Sequence, residues 1–319
     1  MTVSCCLCNY QEVKHKMLRY FVKRILLAIV TVFIIITITF FTMNAVPGGP
    51  FSAEKAPTAA VQAVLEERFN LDKPVGTQFI LYLGNILHGD FGISLKTGRP
   101  IMTVITESFG ISAKLGLMAA AVAVVLGLTF GSIAALTRSG LSDRLIIFFT
   151  TLLVSVPSFV LATLLLLVFC LQLKWFPVWS TSNPSYFLPV ISLAMSPMAY
   201  ITRLTKSSML DVLGQDYIRT AVSKGVSQFW VVAKHALRNA LIPVITYVGP
   251  MVAYIVTGSL VVESVFTIGG LGGKFVSSIN NRDYPMIMAT TIFLAVLMVI
   301  ATLLSDLVYK IVDPRITFD

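Results

Sequence analysis

Long uncharged segments alternate with short charged ones along the chain. Six segments lack Asp, Glu, Lys and Arg, and each reaches the roughly 20 residues that a helix needs to cross about 30 Å of hydrocarbon. They are Ile25–Ala53, Leu115–Thr137, Leu145–Leu173, Trp175–Thr202, Asn239–Val262 and Tyr284–Ser305. The pattern predicts an all-α integral membrane protein with six transmembrane helices.

Composition and charge agree with a membrane protein and argue against a nucleic-acid partner. Only 12% of the residues are charged and 56% are apolar, whereas a soluble domain has about twice that charged fraction. The net charge is +9, but nucleic-acid binding needs Lys and Arg gathered on a soluble face. Here they lie between the apolar segments, beside the lipid bilayer.

The distribution of Lys and Arg predicts the orientation. With a cytoplasmic N-terminus, fifteen of them lie inside and nine outside, six of the nine in the long first outer loop. Long loops cross largely regardless of charge, so we expect both termini to be cytoplasmic. The resulting regions are a cytoplasmic leader (1–20), the first transmembrane helix (21–46), an extracytoplasmic loop region (47–110), and a part with five further transmembrane helices and a cytoplasmic hairpin at 203–240 (111–319). Within the loop region, the pattern predicts two short helices, Thr58–Phe69 and Thr77–Leu87.

The chain offers no recognisable catalytic or metal-binding chemistry. Its three histidines are expected on opposite faces of the membrane, and Cys5 and Cys8 make only half of a zinc site. The run "GGLGGKF" (Gly269–Phe275) lacks both ends of a phosphate-binding loop. We therefore expect no enzyme activity, no cofactor and no metal, and any ATP-driven work would need a partner.

Proline and polar residues within the apolar segments favour a bundle around a polar path over isolated anchors. The candidates for this path are Ser155, Ser192, Ser196, Thr246, Tyr247, Tyr254 and Thr257. Each could instead join neighbouring helices by hydrogen bonds. Charges near the membrane are few, namely Lys114, Glu263 and Asp306, which argues against an ion-driven carrier with carboxylates at the midplane.

The basic segment from Asp216 to Pro243 predicts a helical hairpin. Asp216 is a suitable N-cap, and Gly225 a suitable left-handed residue after the helix, next to Lys224. Ile218, Ala221 and Val222 are expected to form its apolar face.

Ser227 is expected to cap a second helix, which would lie against the membrane domain through Val231, Val232, Ala236 and Leu237. A basic interfacial helix on anionic lipid would explain the charges. The small residues near the bend favour docking to a cytoplasmic protein.

"RTAVSKG" followed by "LIP" resembles the cytoplasmic loop signature of ABC-importer permeases. Arg219, Thr220, Ala221 and Gly225 occupy the signature positions, with Ile242 and Pro243 as the trailing pair. Arg219 and Thr220 replace the usual Glu and Ala, as is typical of the oligopeptide/dipeptide branch. "HGDFGISL", "VVESVF", "NRDYP" and "SDLVYKIVDPR" are similar to the first permease subunit of that branch.

The resemblance implies a permease subunit in a bacterial or archaeal plasma membrane. Its expected partners are a homologous second permease, two ABC ATPase subunits and an extracytoplasmic solute-binding protein that delivers peptide. Asp216, Lys224 and Ser227 would join the signature residues in the ATPase-coupling hairpin. The binding protein would dock near Asn281, Arg282, Asp283 and Tyr284.

Other interpretations stay open. The same branch includes permeases for nickel chelates, glutathione and sugars, and a secondary transporter or channel would work without ATPase subunits.

Overall fold

The computed structural model describes residues 2–46 and 73–312, and nearly all of them are helical. The predicted helix Thr58–Phe69 lies outside the described residues. The first five helices described are α1 (Thr2–Ala45), α2 (Val75–Leu87), α3 (Ile101–Leu136), α4 (Leu141–Ser155) and α5 (Ser158–Leu165). Helix α5 continues to Gln172 with π-helical hydrogen bonding. They are followed by α6 (Phe187–Leu213), α7 (Asp216–Ser223), α8 (Gln228–Trp230), a π-helical segment (Val231–Ala236), α9 (Leu237–Val256), α10 (Leu260–Val265), α11 (Leu271–Asn280) and α12 (Tyr284–Val312).

The transmembrane pattern agrees with the predicted six spans. Within the described residues, five helical stretches are long and apolar enough to cross a membrane, and the number is six if α4 and α5, which are bent by 101° to each other, count as one span. The bend falls at Pro157, which cannot donate a backbone hydrogen bond and follows the extended residue Val156.

Two spans have bounds that the uncharged segments do not predict. Helix α3 begins at Ile101, well before Leu115, because Glu107 and Lys114 lie at exposed positions and do not interrupt it. Its 36 residues extend about 54 Å, more than the hydrocarbon thickness. The fourth span begins at Phe187 and not at Trp175, because residues 173–186 form a non-helical loop.

Small residues bring α3 close to α6 and α9. A Cβ at Gly127 would lie 2.6 Å from Ile201, and one at Gly131 would lie 2.5 Å from the Thr205 side chain. A Cβ at Gly116 would lie 2.8 Å from the backbone carbonyl oxygen of Ile255 in α9. Such close approach is how membrane helices gain packing energy when lipid competes equally for apolar contacts.

Helix α1 is peripheral and runs antiparallel to α12. Arg24 Nη1 lies 2.7 Å from Asp306 Oδ2 near the start of the α1 span and the end of the α12 span. Toward the opposite end, Phe40 stacks on Tyr82 of α2 at a ring distance of 5.5 Å. The beginning of the α1 span and the end of the α12 span therefore lie on the same side of the bundle.

Candidate functional site

Helix α7 forms the first half of the predicted hairpin. Gln215, in an extended conformation, holds the N-cap position, and no side chain caps the helix. The prediction that Asp216 is the N-cap is therefore wrong, because the helix starts one residue earlier than predicted and Asp216 lies in its first turn. A carboxylate there still interacts favourably with the positive end of the helix dipole. Arg219 lies 3.8 Å from Asp216 on the same exposed surface.

Gly225 ends this first half as predicted. Its φ is +77°, a left-handed conformation that glycine adopts without steric cost. The Gly225 N–H donates to the Val222 carbonyl at 2.9 Å, and the Val226 N–H donates to the Ala221 carbonyl at 3.3 Å. These bonds satisfy carbonyls at the helix end, so Lys224 and Gly225 form a compact bend.

The hairpin folds back onto the membrane domain through a small apolar cluster. Ile218 and Ala221 of α7 pack with Val231 and Ala236 of the π-helical segment and with Met209 of α6. Val232 and Leu237 also pack on this cluster, so the predicted inner face of the second half is confirmed.

Val222 was expected on the inner face and lies outside, with 58% of its surface exposed. Helical spacing alone does not predict this, because Val222 is four residues after Ile218 and would share its face, whereas only Ile218 and Ala221 of α7 belong to the buried cluster. The exposed surface of α7 therefore combines Thr220, Val222 and Ser223 with Arg219. Ala221 belongs to the inner cluster.

The second half of the hairpin leads into the fifth span without a loop. Helix α8 passes directly into the π-helical segment and then into α9. The Val231 N–H bonds to the backbone carbonyl of Ser227 at 3.0 Å, and the Asn239 side chain donates to the Tyr217 hydroxyl at 2.8 Å. Helices α7 and α9 are thus joined both through the chain and through a direct side-chain hydrogen bond.

A polar surface lies on α6 and α9. The Tyr200 and Tyr247 rings are 4.3 Å apart between centroids, Tyr254 and Thr246 are exposed, and Ser196 is half-buried. Arg203 and Ser207 continue this exposed surface along α6. Their helical spacing from Tyr200 was available in the sequence, but the uncharged segment ended at Thr202 and left both residues in the predicted hairpin.

The remaining path candidates lie elsewhere. Ser192 is fully buried and donates to the Pro189 carbonyl at 2.9 Å, and Thr257 is buried and donates to the Tyr254 carbonyl at 2.6 Å. Ser155 is exposed at the end of α4 and bonds to the Thr151 carbonyl. Ser192 and Thr257 therefore add no polar surface to the α6–α9 face.

An ion pair joins α4 to α6 in the part of α6 that precedes the hairpin helix α7. Lys206 Nζ lies 2.5 Å from Asp143 Oδ1, and Asp143 Oδ2 accepts the Ser139 N–H at 3.0 Å. Both charged side chains are largely buried, so each needs the other to offset the cost of leaving water. The pair fixes the part of α6 that precedes the hairpin.

Glu263 is buried at the other end of the bundle, with 1% of its surface exposed. Its Oε1 accepts the Ser112 hydroxyl at 2.8 Å, and its Oε2 accepts the Gly273 N–H at 3.0 Å. The Leu271 N–H in turn donates to Ser112 Oγ at 2.8 Å. The glycine run that resembles a phosphate loop thus surrounds a carboxylate of the protein itself.

The four residues predicted to receive a binding protein differ in accessibility. Asp283 is buried and accepts the Ser94 hydroxyl at 2.5 Å and the Leu95 N–H at 3.2 Å. It anchors the loop that begins at His88 to the start of α12. Tyr284 is also buried, whereas Asn281 and Arg282 are exposed.

Comparison with known proteins gives consistent results over most of the chain. Residues 127–318 match the family described as the binding-protein-dependent transport system inner membrane component, and residues 17–116 match the family of its N-terminal part. The dipeptide transport system permease protein DppB of Bacillus subtilis is 47% identical, covering 94% of this chain and 98% of its own. The oligopeptide transport system permease protein OppB of Haemophilus influenzae is 42% identical, covering 95% and 100%.

Solved structures share the fold at low sequence identity. A chain of the inward-facing MetNI methionine ABC transporter superposes with a TM-score of 0.56 at 15% identity, covering 67% of this chain and 99% of its own. A chain of an amino acid ABC transporter with histidines gives a TM-score of 0.52 at 15% identity, covering 66% and 94%.

Proposed function

Because this chain belongs to the binding-protein-dependent transport system inner membrane component family, we propose that it is the permease subunit that carries peptides through an ATP-driven importer. It is a non-catalytic, multi-pass component of the plasma membrane. As an ABC permease, it works with ATPase and binding-protein partners. The names of its relatives as dipeptide and oligopeptide permeases support peptide as the substrate.

In the complete importer, this chain pairs with a homologous second permease and with two ATPase subunits. The polar surface on α6 and α9 supports this arrangement, since Arg203 and Tyr254 are exposed there and lipid is a poor environment for such groups. A second permease opposite this surface would complete a polar path between the two chains. Tyr200, Tyr247 and Thr246 would then line that path.

The hairpin transmits motion of the ATPase to the path. The observation that carries this mechanism is the continuity of α8, the π-helical segment and α9, together with the burial of Ile218 and Ala221 against them. The exposed surface of α7 docks to an ATPase, and α9 moves with it. Rigid-body motion of this kind alternates the access of the path between the two sides of the membrane.

The outer side receives the solute-binding protein. Asn281 and Arg282 are accessible after α11, and Asp283 holds the loop at Ser94 and Leu95 in a fixed position beside them. The docking surface is thus built from two outer segments that one buried carboxylate joins.

The test is uptake in proteoliposomes that contain this chain, the second permease, both ATPase subunits and the receptor from the same gene cluster. We expect a labelled dipeptide or oligopeptide to accumulate only with ATP and receptor. Nickel chelate, glutathione and sugar serve as alternative substrates, and accumulation of one of these without peptide transport would replace the substrate assignment. Ion-driven uptake by this chain without ATPase subunits would contradict the proposal as a whole.

A further inference from the structure

A groove lies between α1 and α12, and none of the residues that line it belongs to the hairpin or to the polar surface on α6 and α9. Its volume is about 260 Å³, and its walls include Ala28 and Thr31 of α1 and Met298 and Thr302 of α12. Arg24 lies at one end. Ala28 has the smallest side chain among the residues that line this space.

The walls of the groove are apolar in spite of the two threonines. The Thr31 hydroxyl donates to the Leu27 carbonyl at 2.8 Å, and the Thr302 hydroxyl donates to the Met298 carbonyl at 2.8 Å. Both hydroxyls are thereby satisfied within their own helices. Water gains few hydrogen bonds here, so the chemistry of the walls favours hydrocarbon.

The position of the groove also points to lipid. Ile29, beside Ala28 on α1, is 61% exposed, and Leu26 is 58% exposed, as expected for a helix that lipid surrounds. From Arg24 to Thr31 the groove follows α1 for about 10 Å at 1.5 Å per residue. Half of a hydrocarbon core of about 30 Å is about 15 Å, so the groove spans most of one leaflet.

The basic residues that precede the groove in the sequence favour a negative headgroup. Lys14, Lys16, Arg19 and Lys23 precede Arg24, and the first 24 residues contain a single acidic residue, Glu12. Asp306 engages Arg24 at 2.7 Å, which leaves a large excess of positive charge in this segment. Basic residues at the membrane surface attract anionic lipid by about 1 kcal/mol each.

We propose that this groove binds one acyl chain of an anionic phospholipid, with the phosphate at the end of the groove near Lys23 and Arg24. The site is separate from the peptide path and does not depend on the substrate that the importer carries. The lipid would fill the contact between α1 and α12 from the side on which the basic segment lies.

The experiment measures the lipid retained by the complex that contains the full chain, after purification from nanodiscs of phosphatidylglycerol and phosphatidylcholine. Native mass spectrometry counts each lipid per complex. Ala28→Phe fills the groove, and Ile29→Phe adds the same ring on the adjacent exposed surface. We expect Ala28→Phe to lower retained phosphatidylglycerol at least several-fold, while Ile29→Phe retains the wild-type amount.

Two further measurements keep the result unambiguous. Thermal unfolding in pure phosphatidylcholine identifies a variant that fails to fold, and Ala28→Leu then replaces Ala28→Phe as a smaller obstruction. Lys23→Gln is expected to reduce the preference for phosphatidylglycerol over phosphatidylcholine. Equal retention in the groove-filling variant and the wild type would overturn the site, and equal retention of the two lipids by the wild type would overturn the anionic assignment.

Discussion

Gly270 lies so close to the Glu263 carboxylate that any side chain would collide with it. A Cβ at Gly270 would be 2.4 Å from Glu263 Oε2 and 2.6 Å from Ser112 Oγ. Ser112 Oγ donates to the other oxygen of this carboxylate, Glu263 Oε1, and that hydrogen bond links α3 to α10. A methyl group would have to separate Ser112 from Glu263 or to shift the glycine run. Either change would expose the buried carboxylate to water or leave it without its hydrogen bonds.

We therefore predict that Gly270→Ala lowers the free energy of unfolding by about 1–3 kcal/mol through overpacking. The measurement is chemical or thermal unfolding of the purified complex in a fixed lipid. Gly84→Ala in α2 is the matched control, because a Cβ there meets nothing within 4 Å. The control should be neutral or slightly stabilising, since alanine suits a helix better than glycine. Equal stability of the two variants would contradict the role given to Gly270.

Local chemistry made some residues predictable and others not. Gly225 could be assigned from its position after an amphipathic segment, because a left-handed residue that ends a helix depends on its neighbours in sequence. Glu263 looked like the end of a span, since its partner Ser112 is 151 residues away in sequence. The sequence excluded a phosphate loop at Gly269–Phe275, but only the packed bundle reveals which carboxylate the glycines surround.

At the scale of elements, the contact between α3 and α6 depends on glycines at the interface. A Cβ at Gly131 would lie 2.6 Å from the Thr202 carbonyl oxygen as well as 2.5 Å from Thr205 Cβ. A backbone oxygen cannot rotate away as a side chain can. The two helices would have to separate along this part of their contact.

We predict that Gly131→Ala weakens this helix pair and lowers the unfolding temperature of the complex, with a cost of about 1–3 kcal/mol. Gly110→Ala lies on the same helix, where a Cβ meets nothing within 4 Å, and should leave stability unchanged or raise it slightly. In a background with Cys5, Cys6 and Cys8 replaced by alanine, unfolding monitored by the fluorescence of a thiol-reactive dye at buried Cys170 compares the two variants. A Gly131→Ala protein as stable as Gly110→Ala would argue against close packing at this position.

The exposed side of α7 gives a second prediction for an element. Val222→Glu places a charge on the surface proposed to dock to the ATPase, where Val222 is mostly exposed. We expect the ATPase subunits to co-purify several-fold less, while the stability of this chain is unchanged. Ile279→Glu, at an exposed position of α11, is the control, and the complex with this variant should retain the ATPase. Normal co-purification of the Val222→Glu protein would place the docking surface elsewhere.

The existence of the elements was predictable from hydrophobicity, whereas several of their bounds were not. An uncharged segment ends at the first charge, but α3 continues outward past Lys114, which lies 4.9 Å from the Tyr186 ring centre. The bend at Pro157 was signalled by the proline itself. The size of the bend, 101°, depends on how α5 packs against α6 and could not be derived from the local sequence.

At the scale of the whole molecule, the ion pair between Arg24 and Asp306 limits the topology. The two residues lie toward opposite ends of the chain and 2.7 Å apart, so the start of the α1 span and the end of the α12 span lie on the same side of the membrane. An even number of crossings between them satisfies this condition, as six spans predict. The pair does not define which side is cytoplasmic, and that prediction depends on the distribution of Lys and Arg.

Cysteine labelling tests the orientation directly. In a variant with the four native cysteines replaced by alanine, Arg138→Cys and Asn281→Cys each introduce one exposed thiol, in the loop before α4 and after α11 respectively. An excess of Lys and Arg on one side is retained in the cytoplasm during insertion. A membrane-impermeant maleimide should therefore label Asn281→Cys in intact cells or spheroplasts and Arg138→Cys only after permeabilisation. Labelling in the opposite order would show that the predicted orientation is reversed. The hairpin, with its proposed ATPase surface, would then lie outside the cell.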